Sequence, residues 1–256
     1  MSSPRYSIAH WRTRLANIAP GPILGTLKRM VESQAQTVTL NLVDDLGEHD
    51  LLETMLEDSK PALAPELARL DYLLRSPWRY PPLRWGSRFG HRHEPGIFYG
   101  ALSEQALFAE TAYYRLVFLE GPRSAFRDRV ISQHTLFEAR FQTSAGFDLS
   151  QAPLNEDHEI LTHPSDYQAC QNLGSALRER DCEAFIYRSA RVGEQVTQGN
   201  NVALLQPAAL QSRKHRNPQP VLCESTRELV LLRHRARVWR FEREQFTNAG
   251  ELPQPA

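Results

Sequence analysis

Apolar residues over the first 75 positions recur at three- and four-residue intervals, the period of an amphipathic helix. Leu15, Ile18, Leu24, Leu27 and Val31 follow that spacing between Arg12 and Val31, interrupted by Pro20-Gly21-Pro22. Leu46, Leu51, Leu52, Met55 and Leu56 repeat it from Leu46 to Glu57, and Asp58-Ser59-Lys60-Pro61 ends it. A third, short helix is predicted from Pro65 to Leu74. Residues 1–75 are therefore expected to form a helical N-terminal extension.

The pattern changes at Ser76-Pro77-Trp78-Arg79-Tyr80-Pro81-Pro82, whose prolines exclude a long helix. From there to about residue 245 helical and alternating segments mix, a mixed α and β reading. Strands are expected at Ile97–Ala101, Arg115–Glu120, Leu136–Gln142, Ala184–Ser189, Asn201–Gln206 and Arg227–Arg240. Ser103 suits the N-cap of a helix following the first of these. Asp166–Arg180 is expected to be helical, with Leu173, Ala176 and Leu177 facing inward. The polar end from 246 to 256 carries two prolines and is expected to be a flexible tail.

Composition adds exclusions. The chain has 256 residues, enough for a core that needs no disulfides. Thirty basic and 30 acidic residues balance, so there is no overall attraction to nucleic acid or to an anionic membrane. The three cysteines, Cys170, Cys182 and Cys223, form no CxxC pair and argue against a disulfide framework. The first 20 residues lack the apolar stretch of a signal peptide, and no apolar run has membrane-spanning length. A cytoplasmic location is the expectation these features give.

Candidate chemistry concentrates between Arg84 and Arg115. On a helix starting after Ser103, Ala106 and Leu107 lie one turn before Glu110, and Tyr113 and Tyr114 one turn after it. Glu110 therefore falls on the apolar stripe, where a carboxylate requires a partner or a task. Two readings stand at this point: a structural ion pair with a nearby arginine, or a carboxylate facing positive charge that develops in a reaction. Arg88 lies between Gly86-Ser87 and Phe89-Gly90, a setting that can present its planar fork to a phosphate or leave it in solvent. Tyr99 ends a strand beside Gly100, and Ser189 ends the strand from Ala184 ahead of Arg191. By themselves these two read as a core tyrosine and a turn former.

Arg88, Tyr99 and Glu110, spaced eleven and eleven and followed by Ser189, resemble the Arg…Tyr…Glu…Ser signature of the RES domain family. The run GSRFGHRHEPGIFYGALSEQALFAE, the Gly146-Phe147-Asp148-Leu149 block, the stretch YQACQNLGSALRERDCEAFIYRSAR and Gly199–Leu204 resemble that family's ordered blocks over roughly residues 76 to 210. Two positions depart: Arg188 stands where many members have proline, and Phe89 where tryptophan is frequent.

The resemblance implies an α+β core similar to ADP-ribosyltransferases, with a split sheet and NAD in its cleft, over residues 76–245. It implies a toxin that cleaves the nicotinamide–ribose bond of NAD with phosphate or water as acceptor, and an Xre-type antitoxin as protein partner. Protein ADP-ribosylation at the same site and a non-catalytic module binding an Xre-type protein or DNA are the alternatives. Glu110 would oppose the charge on the ribose. Arg88 and Arg79 would hold the pyrophosphate, Tyr99 and Tyr80 would offer aromatic platforms, and Ser189 a small hydroxyl. Arg191 and Arg188 would add cationic capacity, sufficient for inorganic phosphate as co-substrate. NAD enters as substrate, with no cofactor and no metal, and a homodimer is compatible with this reading. His91-Arg92-His93 and Glu156-Asp157-His158-Glu159 lack ligand spacing for a metal. Arg213-Lys214-His215-Arg216 is expected to be an exposed basic loop, and Arg233-His234-Arg235-Ala236-Arg237 the polar face of a strand. No direct nucleic-acid or membrane contact is expected.

Overall fold

A computed structural model of the protein describes residues 6–33, 55, 60–80, 82–121, 129–193 and 196–254. Helix α1 (Ile8–Leu15) is capped by the Ser7 hydroxyl, which accepts from the His10 N–H. It buries Trp11 and Leu15, and the Trp11 indole N–H donates to the Ala169 carbonyl at 2.9 Å. Pro20-Gly21-Pro22 then ends the helical run, and Gly21–Glu32 is strand β1. This corrects the helical expectation for the segment up to Val31. The apolar residues of 23–31 fit two periods, and long-range pairing decides between them: Ile23 and Leu27 are buried while Leu24 is 68% exposed. The expected helix at Leu46–Glu57 lies, apart from Met55, outside the described residues.

Pro65–Leu67 is a 3₁₀ turn, and α2 spans Tyr72–Arg79 with Asp71 as its N-cap. The expected third helix thus starts later and runs past Leu74 through Pro77. Strand β2 (Phe98–Ala101) leads through Ser103 into α3 (Glu104–Glu120), where the Ser103 hydroxyl accepts from the Ala106 N–H at 3.1 Å. The strand expected at Arg115–Glu120 is the last part of this 17-residue helix. Val117 and Phe118 favour strands locally, but Ala109, Ala112, Leu116 and Leu119 continue one buried helical face.

Strand β3 (Val130–Asp148) is the longest, followed by the single-turn α4 (His158–Leu161) and by α5 (Gln168–Arg178) with Leu173, Ala176 and Leu177 buried. Strands β4 (Ala184–Arg188) and β5 (Asn200–Leu204) match their predicted positions. β6 (Arg216–Ser225) was hidden by Pro218 and Pro220 and begins within the expected basic loop. Those prolines are tolerated because β6 meets β7 only from Leu222 onward, leaving its first half with β3 alone. The last expected strand is a hairpin, β7 (Leu229–His234) and β8 (Arg237–Glu242), turned at Arg235, whose φ is 54°. Residues beyond β8 are docked where a flexible tail was expected: Leu252 is buried, and the Tyr113 hydroxyl donates to the Pro253 carbonyl.

The result is an α+β molecule around one eight-stranded sheet, ordered β1-β2-β5-β4-β3-β6-β7-β8, with β1 also pairing β3. One edge of β3 carries β1 from Gly146 back to His134. Its other edge carries β6 over residues 130–138 and β4, in parallel, over Gly146–Asp148. The sheet divides at β3, and β1, β2, β5, β4 and β3 close on themselves through the β1–β3 pairing. Three apolar clusters fill the interior, one under α1 and α5, one between α3 and β6–β8, and one inside the closed strands. Among the described residues no helix is long and apolar enough to cross a membrane.

Candidate active site

A cleft of about 340 Å³ opens between α3, the β1–β2–β5 strands and the loop before β2, within the size range of small-molecule sites. Its walls include Arg29, Trp85, Arg88, Tyr99, Glu110 and Asn201.

The turn carrying Arg88 follows from its glycines. Gly86 has φ +79°, and a Cβ there would lie 2.3 Å from the Gly90 carbonyl oxygen, so only glycine fits. The Ser87 N–H donates to the Gly90 carbonyl at 2.8 Å, closing a tight turn with Arg88 near its tip. Helix α5 pins this turn, since the Gln171 amide donates to the carbonyls of Trp85 and Ser87, each at 3.1 Å. Tyr99 pins it from the sheet: its hydroxyl accepts from the Phe89 N–H at 3.1 Å and sits 2.9 Å from the Ser87 hydroxyl. Burial pushes the Tyr99 phenol up to about 12. Its hydroxyl is thus engaged in holding the Arg88 turn, and its ring lines the cleft.

Arg88 itself is fixed in place. Nη1 donates to the carbonyls of Leu161 at 3.1 Å and His163 at 3.0 Å, and the guanidinium lies 4.2 Å from the centre of the Tyr167 ring. No carboxylate pairs with it among the described residues.

Glu110 is not the ion-pair partner that its place on the apolar stripe allowed. Its Oε1 accepts from the Ser189 hydroxyl at 2.7 Å and from the Asn201 amide at 3.1 Å. Two donors on one oxygen hold the carboxylate in a single orientation. Leu107 and Tyr113 beside it are buried, whereas Tyr114 is 49% exposed and lines the cleft mouth. Ser189 ends β4 and is 1% exposed. Its hydroxyl also accepts from the Arg191 N–H at 3.1 Å, and it stands behind Glu110 rather than in the cleft wall.

The remaining sequence candidates lie elsewhere. The Arg79 Nε donates to the Pro61 carbonyl at 2.9 Å, and Tyr80 is the C-cap of α2; neither lines the cleft. Arg188 donates to the Gly193 carbonyl at 2.9 Å. Arg191 is buried, donates to the Pro164 carbonyl at 2.7 Å and the Tyr167 hydroxyl at 3.0 Å, and lies 3.3 Å over the Tyr113 ring. The cations that do line the cleft are Lys28, Arg29 and Arg88. Lys28 and Arg29 come from β1, which the helical reading concealed. Asn201 was visible only as part of a strand block; the pairing of Asn201 with Tyr187 in the β4–β5 register gives its place beside the cleft.

His91, Glu156 and Asp157 have partners outside the cleft. The His91 N–H donates to Glu94 at 2.8 Å, and Arg14 pairs with Glu156 at 2.5 Å and Asp157 at 3.0 Å. His215 of the basic run lies 2.7 Å from Asp71. Among the described residues no group of three or more His, Cys, Asp or Glu side chains is arranged to hold a metal ion.

A closed-strand α+β core with an oriented carboxylate and clamped arginine in one cleft defines the class. The RES domain family model matches residues 63–226, and the chain belongs to that family. Among solved structures it is similar to a chain of the M. tuberculosis MbcT–MbcA toxin–antitoxin complex, at 15% identity and a TM-score of 0.47, covering 81% of this chain and 90% of that one. No curated protein matches.

Proposed function

We propose that the cleft binds NAD and cleaves its nicotinamide–ribose bond. The observation that carries this reading is Glu110, held by Ser189 and Asn201 in a cleft that aromatic rings, Arg29 and Arg88 also line. As the bond breaks, its electron pair passes to the pyridinium nitrogen and neutralises it, while positive charge spreads over the ribose C1 and ring oxygen. A fixed carboxylate beside that sugar stabilises the transition state more than the ground state. A phosphate oxyanion then bonds to C1 directly, or a water oxygen bonds there and passes its proton to solvent. Arg88 suits a phosphoryl oxygen of the dinucleotide, and the ring of Tyr99 suits the flat base or sugar.

This activity would make the protein a toxin that depletes NAD, held in check by an Xre-type antitoxin, as the family resemblance implies. Incubating the purified chain with NAD, with and without inorganic phosphate, and weighing the products tests it. Nicotinamide together with ADP-ribose 1″-phosphate, or with ADP-ribose, is the expected result. Covalent ADP-ribose on protein at high yield would replace this reading with a transferase, and intact NAD would leave a binding module.

A further inference from the structure

Residues 252–254 lie outside the family-matched segment 63–226, yet they are fastened to the helix that carries Glu110. Leu252 is buried, the Gln254 amide donates to Glu120 at 2.9 Å, and the Pro253 carbonyl accepts from the Tyr113 hydroxyl. Tyr113 follows Glu110 by three positions on α3, so the two share a face. The Tyr113 ring is fully buried, and the Arg191 guanidinium lies 3.3 Å from its centre. Arg191 is a costly side chain to bury. No carboxylate pairs with it among the described residues, and its Nε–H has no hydrogen-bond partner. Such a group weakens a fold, so its place there needs a reason other than stability. Its contacts supply one. The guanidinium donates to the Pro164 carbonyl at 2.7 Å and to the Tyr167 hydroxyl at 3.0 Å. Those two residues belong to the segment that clamps Arg88, through the Leu161 and His163 carbonyls and the face of the Tyr167 ring. The backbone N–H of Arg191 donates to the Ser189 hydroxyl oxygen at 3.1 Å, which leaves the hydroxyl hydrogen for Glu110. One residue therefore braces both the cation and the carboxylate of the site.

We infer that residues 252–254 are a strap that positions the active site: by tying the Tyr113 hydroxyl they seat Arg191, and Arg191 sets Arg88 and the Ser189–Glu110 pair. Tyr113 and Arg191 are positioning residues, and neither lines the cleft. The effect on turnover rests on the NAD reading, whereas the bracing of residues 161–167 does not.

The test compares the full chain with Tyr113→Phe, which keeps the ring against Arg191 and removes only the hydroxyl, and with a chain shortened to end at Glu251. Steady-state kinetics follows NAD loss, and hydrogen–deuterium exchange read by mass spectrometry follows the protection of residues 161–167. Rates are taken well below the unfolding midpoint of each variant, so a general loss of stability leaves kcat/KM unchanged. Loss of one neutral hydrogen bond predicts a fall of about three- to tenfold in kcat/KM for Tyr113→Phe, with faster exchange at 161–167. The shortened chain should lose at least as much, and Tyr113→Phe should cost nothing further within it, because both changes remove the same contact. Wild-type turnover in folded Tyr113→Phe, with or without a change in exchange, overturns the inference, and so does an additive loss in the double variant. If the shortened chain does not fold, Arg191→Lys takes its place. It keeps the charge without the planar fork and should lower kcat/KM more than Tyr113→Phe does; wild-type turnover there overturns the inference equally. Should the wild-type chain leave NAD intact, the NAD reading fails, while exchange at 161–167 in Tyr113→Phe still decides whether the strap braces the segment that holds Arg88.

Discussion

Ser189 and Asn201 meet Glu110 on the same oxygen, and this sets what their replacement does. Ser189 is buried behind the carboxylate, so it acts as a positioning residue. Ser189→Ala removes one hydrogen bond to a charged group, worth about 1.5–3 kcal/mol. We expect kcat for NAD loss to fall roughly 10- to 100-fold with KM little changed, because orientation is lost and not substrate contact. A comparable rise in KM, measured by steady-state kinetics, would show instead that Ser189 touches the substrate. At this scale Arg88, Tyr99, Glu110 and Ser189 were legible as a spaced signature, and the fold brings all four together. Arg79 and Tyr80 lie near Arg88 in sequence, but Arg79 bonds to the Pro61 carbonyl, Tyr80 is the C-cap of α2, and neither lines the cleft. Arg29 and Asn201 gave no local signal, since their placement follows from strand register.

Helix α5 and the Arg88 turn meet through a glycine. A Cβ on Gly174 would sit 1.8 Å from the Phe89 carbonyl oxygen, so the helix can approach the turn only with hydrogen at that position. Gly174→Ala should destabilise the protein by about 1–3 kcal/mol through overpacking, read from chemical denaturation. It should also lower NAD turnover in the folded population, because the displaced turn carries Arg88 and binds the Tyr99 hydroxyl. Full stability with full turnover would mean that the contact yields without consequence. Elements were legible where local period and long-range pairing agree, as in β2, α5, β4 and β5. β1 and the end of α3 were misassigned where they disagree: Leu24, Leu27 and Val31 keep a helical spacing inside a strand, and Val117-Phe118 has strand character inside a helix. β6 escaped because its prolines sit where no second strand needs their donors.

The sheet joins sequence that the family model separates. β1 pairs with both β2 and β3, while β7 and β8 cover the α3 side, and all three lie outside residues 63–226. A chain cut to 63–226 would expose the Leu27 side of the closed strands and the Phe108 side of α3. We expect it to lack a cooperative thermal transition, and a sharp transition near that of the full chain would contradict this. The mixture of helix and strand was legible in the periods and the α+β class in the family resemblance, but the closure of the strands was not, because it depends on the unread β1. If Glu110 is the group that drives NAD cleavage in this cleft, Glu110→Gln should remove the activity and leave the fold. The amide keeps the shape and removes the charge. With folding verified by an unchanged circular dichroism spectrum, nicotinamide release from NAD should fall by about a thousandfold or more, the scale of losing a principal electrostatic stabiliser. Release at the wild-type rate from the folded variant would show that Glu110 does not drive NAD cleavage.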